Sequence, residues 1–96
     1  MYRIVLTPTF VKQFKKITKK IPELQAKVLR QLYILSKNPK HPSLNSRLVE
    51  TRNMGQRWSS RVTGDIRIIW DYSEKRKLTI NAIDIGGHSG KRKVYN

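Results

Sequence analysis

The chain predicts an α+β fold in which a helical hairpin packs on one face of an antiparallel sheet, in the order β-α-α-β-β-β-β. Three observations lead there. A short β-branched and aromatic segment opens the chain. Two runs of helical periodicity follow, Phe10 to Ile21 and Leu24 to Leu35, divided by Pro22. From Leu48 to Ile85 the pattern changes to short alternating runs separated by turn-forming residues. A chain of 96 residues has room for one domain, here residues 1–96, with a small core.

Each element has a local cause. Tyr2 to Leu6 carries strand-forming residues and ends at Thr7-Pro8, where Thr can cap a helix and Pro can fill its first position. Phe10, Phe14, Ile17 and Ile21 then recur on one helical stripe, while Lys12, Lys15, Lys16, Lys19 and Lys20 occupy much of the rest. Pro22 breaks this run. Leu24, Val28, Leu32 and Leu35, with Leu29 alongside, predict a second amphipathic helix ending near Ser36 to Asn38, just before Pro39. Lys37 to Ser46 reads as a surface loop. Strands are expected at Leu48-Val49, Arg57 to Thr63, Ile66 to Tyr72 and Lys77 to Ile85, with turns at Asn53 to Gly55, Gly64-Asp65 and Ser73 to Arg76. Of these turns, Gly64-Asp65 departs most from the preferred residue order.

Charge constrains the partner. Lys and Arg number 21 against 6 Asp and Glu, a formal net charge of +15. Such a field repels other copies of the chain and attracts polyanions or an acidic protein that masks it. There is no Cys, which excludes disulfides and thiolate-bound zinc. No apolar run reaches signal-peptide or bilayer length, so a cytoplasmic protein without membrane contact is expected.

Strand alternation sorts the residues capable of chemistry. Arg67, Ile69 and Asp71 share a face opposite Ile66, Ile68 and Trp70; Arg57, Ser59, Arg61 and Thr63 share a face opposite Trp58, Ser60 and Val62. The arginines have two readings: anion binding, or a solvated face with ion pairs such as Arg67 with Asp71 or Asp84. Trp58 reads as a core anchor more readily than as a stacking platform. Beyond Gly86-Gly87 come His88, the cations Lys91, Arg92 and Lys93, and Tyr95. The six acids are scattered, and no phosphate-cradling glycine loop or Ser-His-Asp pattern is present, so neither a metal nor a cofactor is expected. If the chain cleaves phosphodiesters, it does so without metal: the RNA's 2′-hydroxyl attacks, cations stabilise the charged phosphorane, and a base and an acid move protons.

Four groups of residues, in this order, resemble the RelE/ParE superfamily of toxins from type II toxin–antitoxin systems. They are Phe10-x-x-x-Phe14-Lys15-Lys16; Leu32-x-x-Leu35-x-x-Asn38-Pro39 with His41-Pro42-Ser43-Leu44; Trp58-Ser59-x-Arg61-Val62-x-Gly64-Asp65-Ile66-Arg67; and Ile83-x-Ile85-Gly86-Gly87-His88 with Val94-Tyr95. RelE-like messenger-RNA interferases are most similar, with some YafQ-like features. The resemblance implies an endoribonuclease that cuts messenger RNA on the ribosome and is silenced by a cognate antitoxin. Arg67 would contact the scissile phosphate, His88 would be the general acid, Tyr95 the base or a stacking ring, and Arg61 a further phosphate ligand. Asp65 matches an active-site position of YafQ-like members. RelE-like members carry a Lys pair that this chain lacks, for which Arg57 and Arg61 would substitute from neighbouring positions; Arg57, together with Lys91, Arg92 and Lys93, is expected to bind RNA. A ParE-like poison of DNA gyrase, or a non-catalytic RNA- or ribosome-binding module, fits the same composition.

Overall fold

The structure, a computed structural model, describes residues 1–87. Strand β1 (Arg3–Leu6) leads into helices α1 (Pro8–Thr18) and α2 (Pro22–Lys37). A single 3-10 turn (Pro42–Leu44) follows, then β2 (Arg47–Glu50), β3 (Gln56–Arg61), β4 (Ile66–Tyr72) and β5 (Thr79–Gly87). Thr7 caps α1 as expected, its hydroxyl oxygen accepting the Phe10 N–H at 3.1 Å, with Pro8 in the first turn where its missing N–H is harmless. Pro22 opens α2 in the same way. The apolar stripes face the sheet: Phe10, Val28 and Leu35 are fully buried, and Phe14, Ile17 and Leu24 pack around them. Ile21 and Leu29 lie off the stripe and are exposed.

The strand order is β1-β5-β4-β3-β2. Strands β2 to β5 form the expected antiparallel meander, but β1 pairs parallel to β5, with Arg3 opposite Thr79. The sheet is therefore mixed rather than antiparallel throughout. The two helices carry the chain from one edge of the sheet to the other, which leaves the first strand beside the last.

Between Ile69 and Trp70 the β4–β5 register shifts: Ile69 faces Asp84, whereas Trp70 faces Ala82, so Ile83 is an extra residue forming a β-bulge. Thr7 holds it in place. Its N–H donates to the Ala82 carbonyl at 3.1 Å and its hydroxyl to the Ile83 carbonyl at 2.7 Å. One threonine thus starts α1 and satisfies a backbone oxygen freed by the bulge.

Trp70 sits at the centre of the core. Its ring stacks on Trp58 with centroids 5.6 Å apart and meets Tyr72 edge-on at 5.1 Å, while Nε1 donates to Ser60 Oγ at 2.7 Å. Ser60 Oγ also lies 2.7 Å from Ser46 Oγ, so the buried hydroxyl is fully engaged. The segment expected as a surface loop contributes one core residue, Leu44, which is fully buried. The 3-10 turn delivers it: His41 Nδ1 accepts the Ser43 N–H at 3.1 Å, and Asn45 leaves the turn in the left-handed conformation that Asn tolerates.

At the other end of β4, Tyr72 packs against Tyr2 with ring centroids 5.8 Å apart. Burial, and then the neighbouring Tyr2 and Asp71, push the Tyr72 phenol above its ordinary value of 10.0. A raised folded-state value means that the unfolded chain loses this proton first. Stability from this group is therefore intact below the ordinary tyrosine range and falls as pH climbs through and beyond it. Denaturation midpoints measured from neutral to strongly alkaline pH are expected to drop more steeply for the native chain than for Tyr72→Phe.

Candidate functional site

The helices leave one face of the sheet open, and register determines what stands on it. Arg47 pairs with Ser59, Val49 with Arg57, Ser59 with Ile69, and Arg61 with Arg67. On the far side Ile69 pairs with Asp84 and Arg67 with Gly86. Arg47, Arg57, Arg61 and Arg67 thus share this face. At its centre Ile69 is fully buried under Val49 and Met54. The Met54 turn closes tightly because Gly55 adopts φ 71°, which glycine accommodates freely, and because the Thr51 hydroxyl donates to its carbonyl at 2.6 Å.

The arginines differ in how they are held. Arg57 Nη1 lies 3.4 Å from Asp71 Oδ2, with both side chains about a third exposed, so this is a weak, solvent-screened pair. Its Nε is buried without a partner, as is Ser59 Oγ beside it. Arg67 is only 9% exposed. Its Nη1 donates to the carbonyls of Thr63 and Ile66, the latter at 3.3 Å. Of the two carboxylates considered as partners for Arg67, Asp71 is engaged by Arg57 instead. Arg61 is exposed at the side chain and anchored at the backbone, where its carbonyl accepts from Gln31 Nε2 of α2 at 2.7 Å.

The β3–β4 turn explains why Arg67 reaches backwards. Thr63 Oγ1 accepts the N–H groups of Asp65 and Ile66 at 3.2 and 2.9 Å, a side-chain-closed turn rather than a tight two-residue one. Gly64 does not take up the left-handed conformation. The Thr63 carbonyl is held by the guanidinium, and the Ile66 carbonyl, which also accepts the Val62 and Thr63 N–H groups at 2.9 and 3.2 Å, takes Nη1 as a further contact, so this end of the guanidinium is fixed. Asp65 projects from this turn toward β5. A methyl group at Gly87 would lie 2.6 Å from Asp65 Oδ2, so a larger residue there would make this exposed carboxylate swing aside.

The structure therefore brings Arg57, Arg61 and Arg67 onto one face. It places Asp65 on the helix side, in a pocket it lines with Leu24, Lys27 and Ile66, and Trp58 on the helix side as well. Arg47 joins them unforeseen, although its alternation with Val49 places it on the open face. His88, Lys91, Arg92, Lys93 and Tyr95 lie outside the described residues. Among the described residues no helix is long and apolar enough to cross a membrane.

Two helices packed on a five-stranded mixed sheet match the fold of RelE/YoeB-like toxins of toxin–antitoxin systems. Among solved structures, the YoeB/ParE toxin from Agrobacterium tumefaciens superposes with a TM-score of 0.72 at 15% identity, over 91% of this chain and 99% of that one. The toxin–antitoxin complex RelBE2 from Mycobacterium tuberculosis gives 0.65 at 18% identity, over 90% and 96%. YafQ from E. coli gives 0.61 at 17% identity, over 91% and 93%. No protein-family model and no curated protein matches the sequence.

Proposed function

We propose that the chain is the toxin of a type II toxin–antitoxin system and a metal-independent endoribonuclease that cuts messenger RNA on the ribosome. The observation that carries this reading is the Arg61–Arg67 pair, in register on the open face, with one guanidinium anchored and the other free to approach a ligand. Two cations so placed suit a phosphodiester whose charge rises as the 2′-oxygen adds to phosphorus. Glycine opposite Arg67 leaves this approach free of a side chain. In this reading the guanidiniums hold and neutralise the phosphate, His88 protonates the departing 5′-oxygen, and Tyr95 takes the 2′-hydroxyl proton, the roles implied by the resemblance. Ribosomal RNA and the message supply the polyanion that a charge of +15 calls for. A cognate antitoxin with an acidic segment would cover the same face.

Primer extension on ribosome-bound message tests this. Added protein is expected to leave discrete cuts whose upstream fragments end in a 2′,3′-cyclic or 3′-phosphate, and a 2′-deoxy nucleotide at the cut position should block the reaction there. Uncut message, with inhibition of DNA gyrase supercoiling instead, would overturn the proposal.

A further inference from the structure

We infer a second RNA contact on the helix side of β3: a pocket at Trp58 that takes one unpaired nucleotide, its base on the indole and its phosphate on Lys40 and His41. The inference rests on RNA being the ligand, as proposed above, but not on cleavage. The pocket, about 470 Å³, is lined by Lys40, His41, Pro42, Asn45, Ser46 and Trp58. That volume is ample for a nucleobase.

Trp58 is only partly buried, unlike Trp70 beneath it. Its ring stacks on Trp70 at an interplanar angle of 15°, which fixes the indole plane, and Lys40 Nζ stands 5.6 Å from its centroid. An exposed ammonium on an indole is a weaker contact than a stacked base. A base can therefore displace it, while the flexible lysine stem carries the charge to the adjoining phosphate. His41 is oriented to bind the same phosphate, because Nδ1 accepts the Ser43 N–H and the neutral ring therefore carries its proton on Nε2 as a donor. The lining contains two basic side chains and no carboxylate. This selects an anion with a flat aromatic group, and the need to stack a base selects a single strand over a duplex.

The pocket also has a route to the open face. Trp58 is in register with Leu48 of β2, the edge strand, which is four residues long. A strand of RNA rounding that edge passes from Arg47 and Arg57 on one side to Trp58 on the other.

The test uses the full chain and a labelled single-stranded oligoribonucleotide, fully 2′-O-methylated so that it cannot be cut, titrated at several salt concentrations. Joint replacement Lys40→Ala and His41→Ala, both at exposed positions, is expected to weaken binding about tenfold and to flatten the salt dependence by about 0.7 in log–log slope for each phosphate no longer neutralised. Trp58→Leu is expected to weaken binding about tenfold with the slope unchanged. The native chain should prefer this oligonucleotide to an abasic one of equal length. Native affinity in the Lys40/His41 variant, or equal affinity for the abasic strand, would overturn the pocket alone. Failure of the native chain to bind any strand would overturn the RNA reading with it.

Discussion

Arg67→Ala is expected to slow message cutting by about 10²–10³-fold, the loss typical when one preorganised donor to a developing oxyanion is removed. The structure adds a second consequence. Arg67 Nη1 binds the Thr63 and Ile66 carbonyls, so its removal loosens the β3–β4 turn and is expected to lower stability by about 1–2 kcal/mol. Arg61→Ala separates the two effects, because that side chain is exposed and only its backbone is anchored; it should melt like the native chain while still cutting more slowly. Arg67→Lys keeps a charge but loses the planar, multi-donor guanidinium, and should recover only part of the rate. Single-turnover cleavage of ribosome-bound message, alongside thermal melts, reads both quantities. A native rate in Arg67→Ala would remove the residue from the mechanism.

Trp70→Ala is expected to be the most damaging substitution for folding, at about 3–5 kcal/mol. Trp70 is 1% exposed and contacts Trp58, Tyr72 and Ser60 simultaneously. Truncation opens a cavity beneath the helices and removes the indole N–H partner of Ser60 Oγ. Small domains have only about 5–15 kcal/mol to lose, so a large share of the fold's margin rests on one ring. Trp70→Phe should recover much of the packing but not the hydrogen bond. Urea denaturation of the two variants measures both, and a loss below about 1 kcal/mol for the alanine variant would mean that the core closes over the gap.

Sequence legibility followed the range of the forces involved. Thr7-Pro8 and Pro22 mark helix starts through groups one to three residues away, and the apolar spacing of Phe10, Phe14, Val28, Leu32 and Leu35 points them at the sheet as expected. Alternation likewise grouped Arg57 with Arg61 and Arg67 with Asp71 within their strands, and the β3–β4 register then set both groups on one face. What remained hidden depends on partners distant in sequence. The parallel pairing of β1 with β5 follows from where the helices return the chain. Leu44 looked like loop because a single apolar residue has no period, and only the 3-10 turn drives it inward. The backbone partners of Arg67 could not be foreseen either, since they arise from a turn closed by the Thr63 hydroxyl rather than by Gly64.

Ile83 sets the parity of everything after it. Were β5 to alternate regularly through Ile83, with no bulge to absorb it, each later side chain would swing to the opposite side: Asp84 would be driven under the helices, Ile85 turned out to water, and Gly86 moved away from Arg67. Because the Ile83 carbonyl is held by the hydroxyl of Thr7, the opening residues of the chain determine which way its last described residues point.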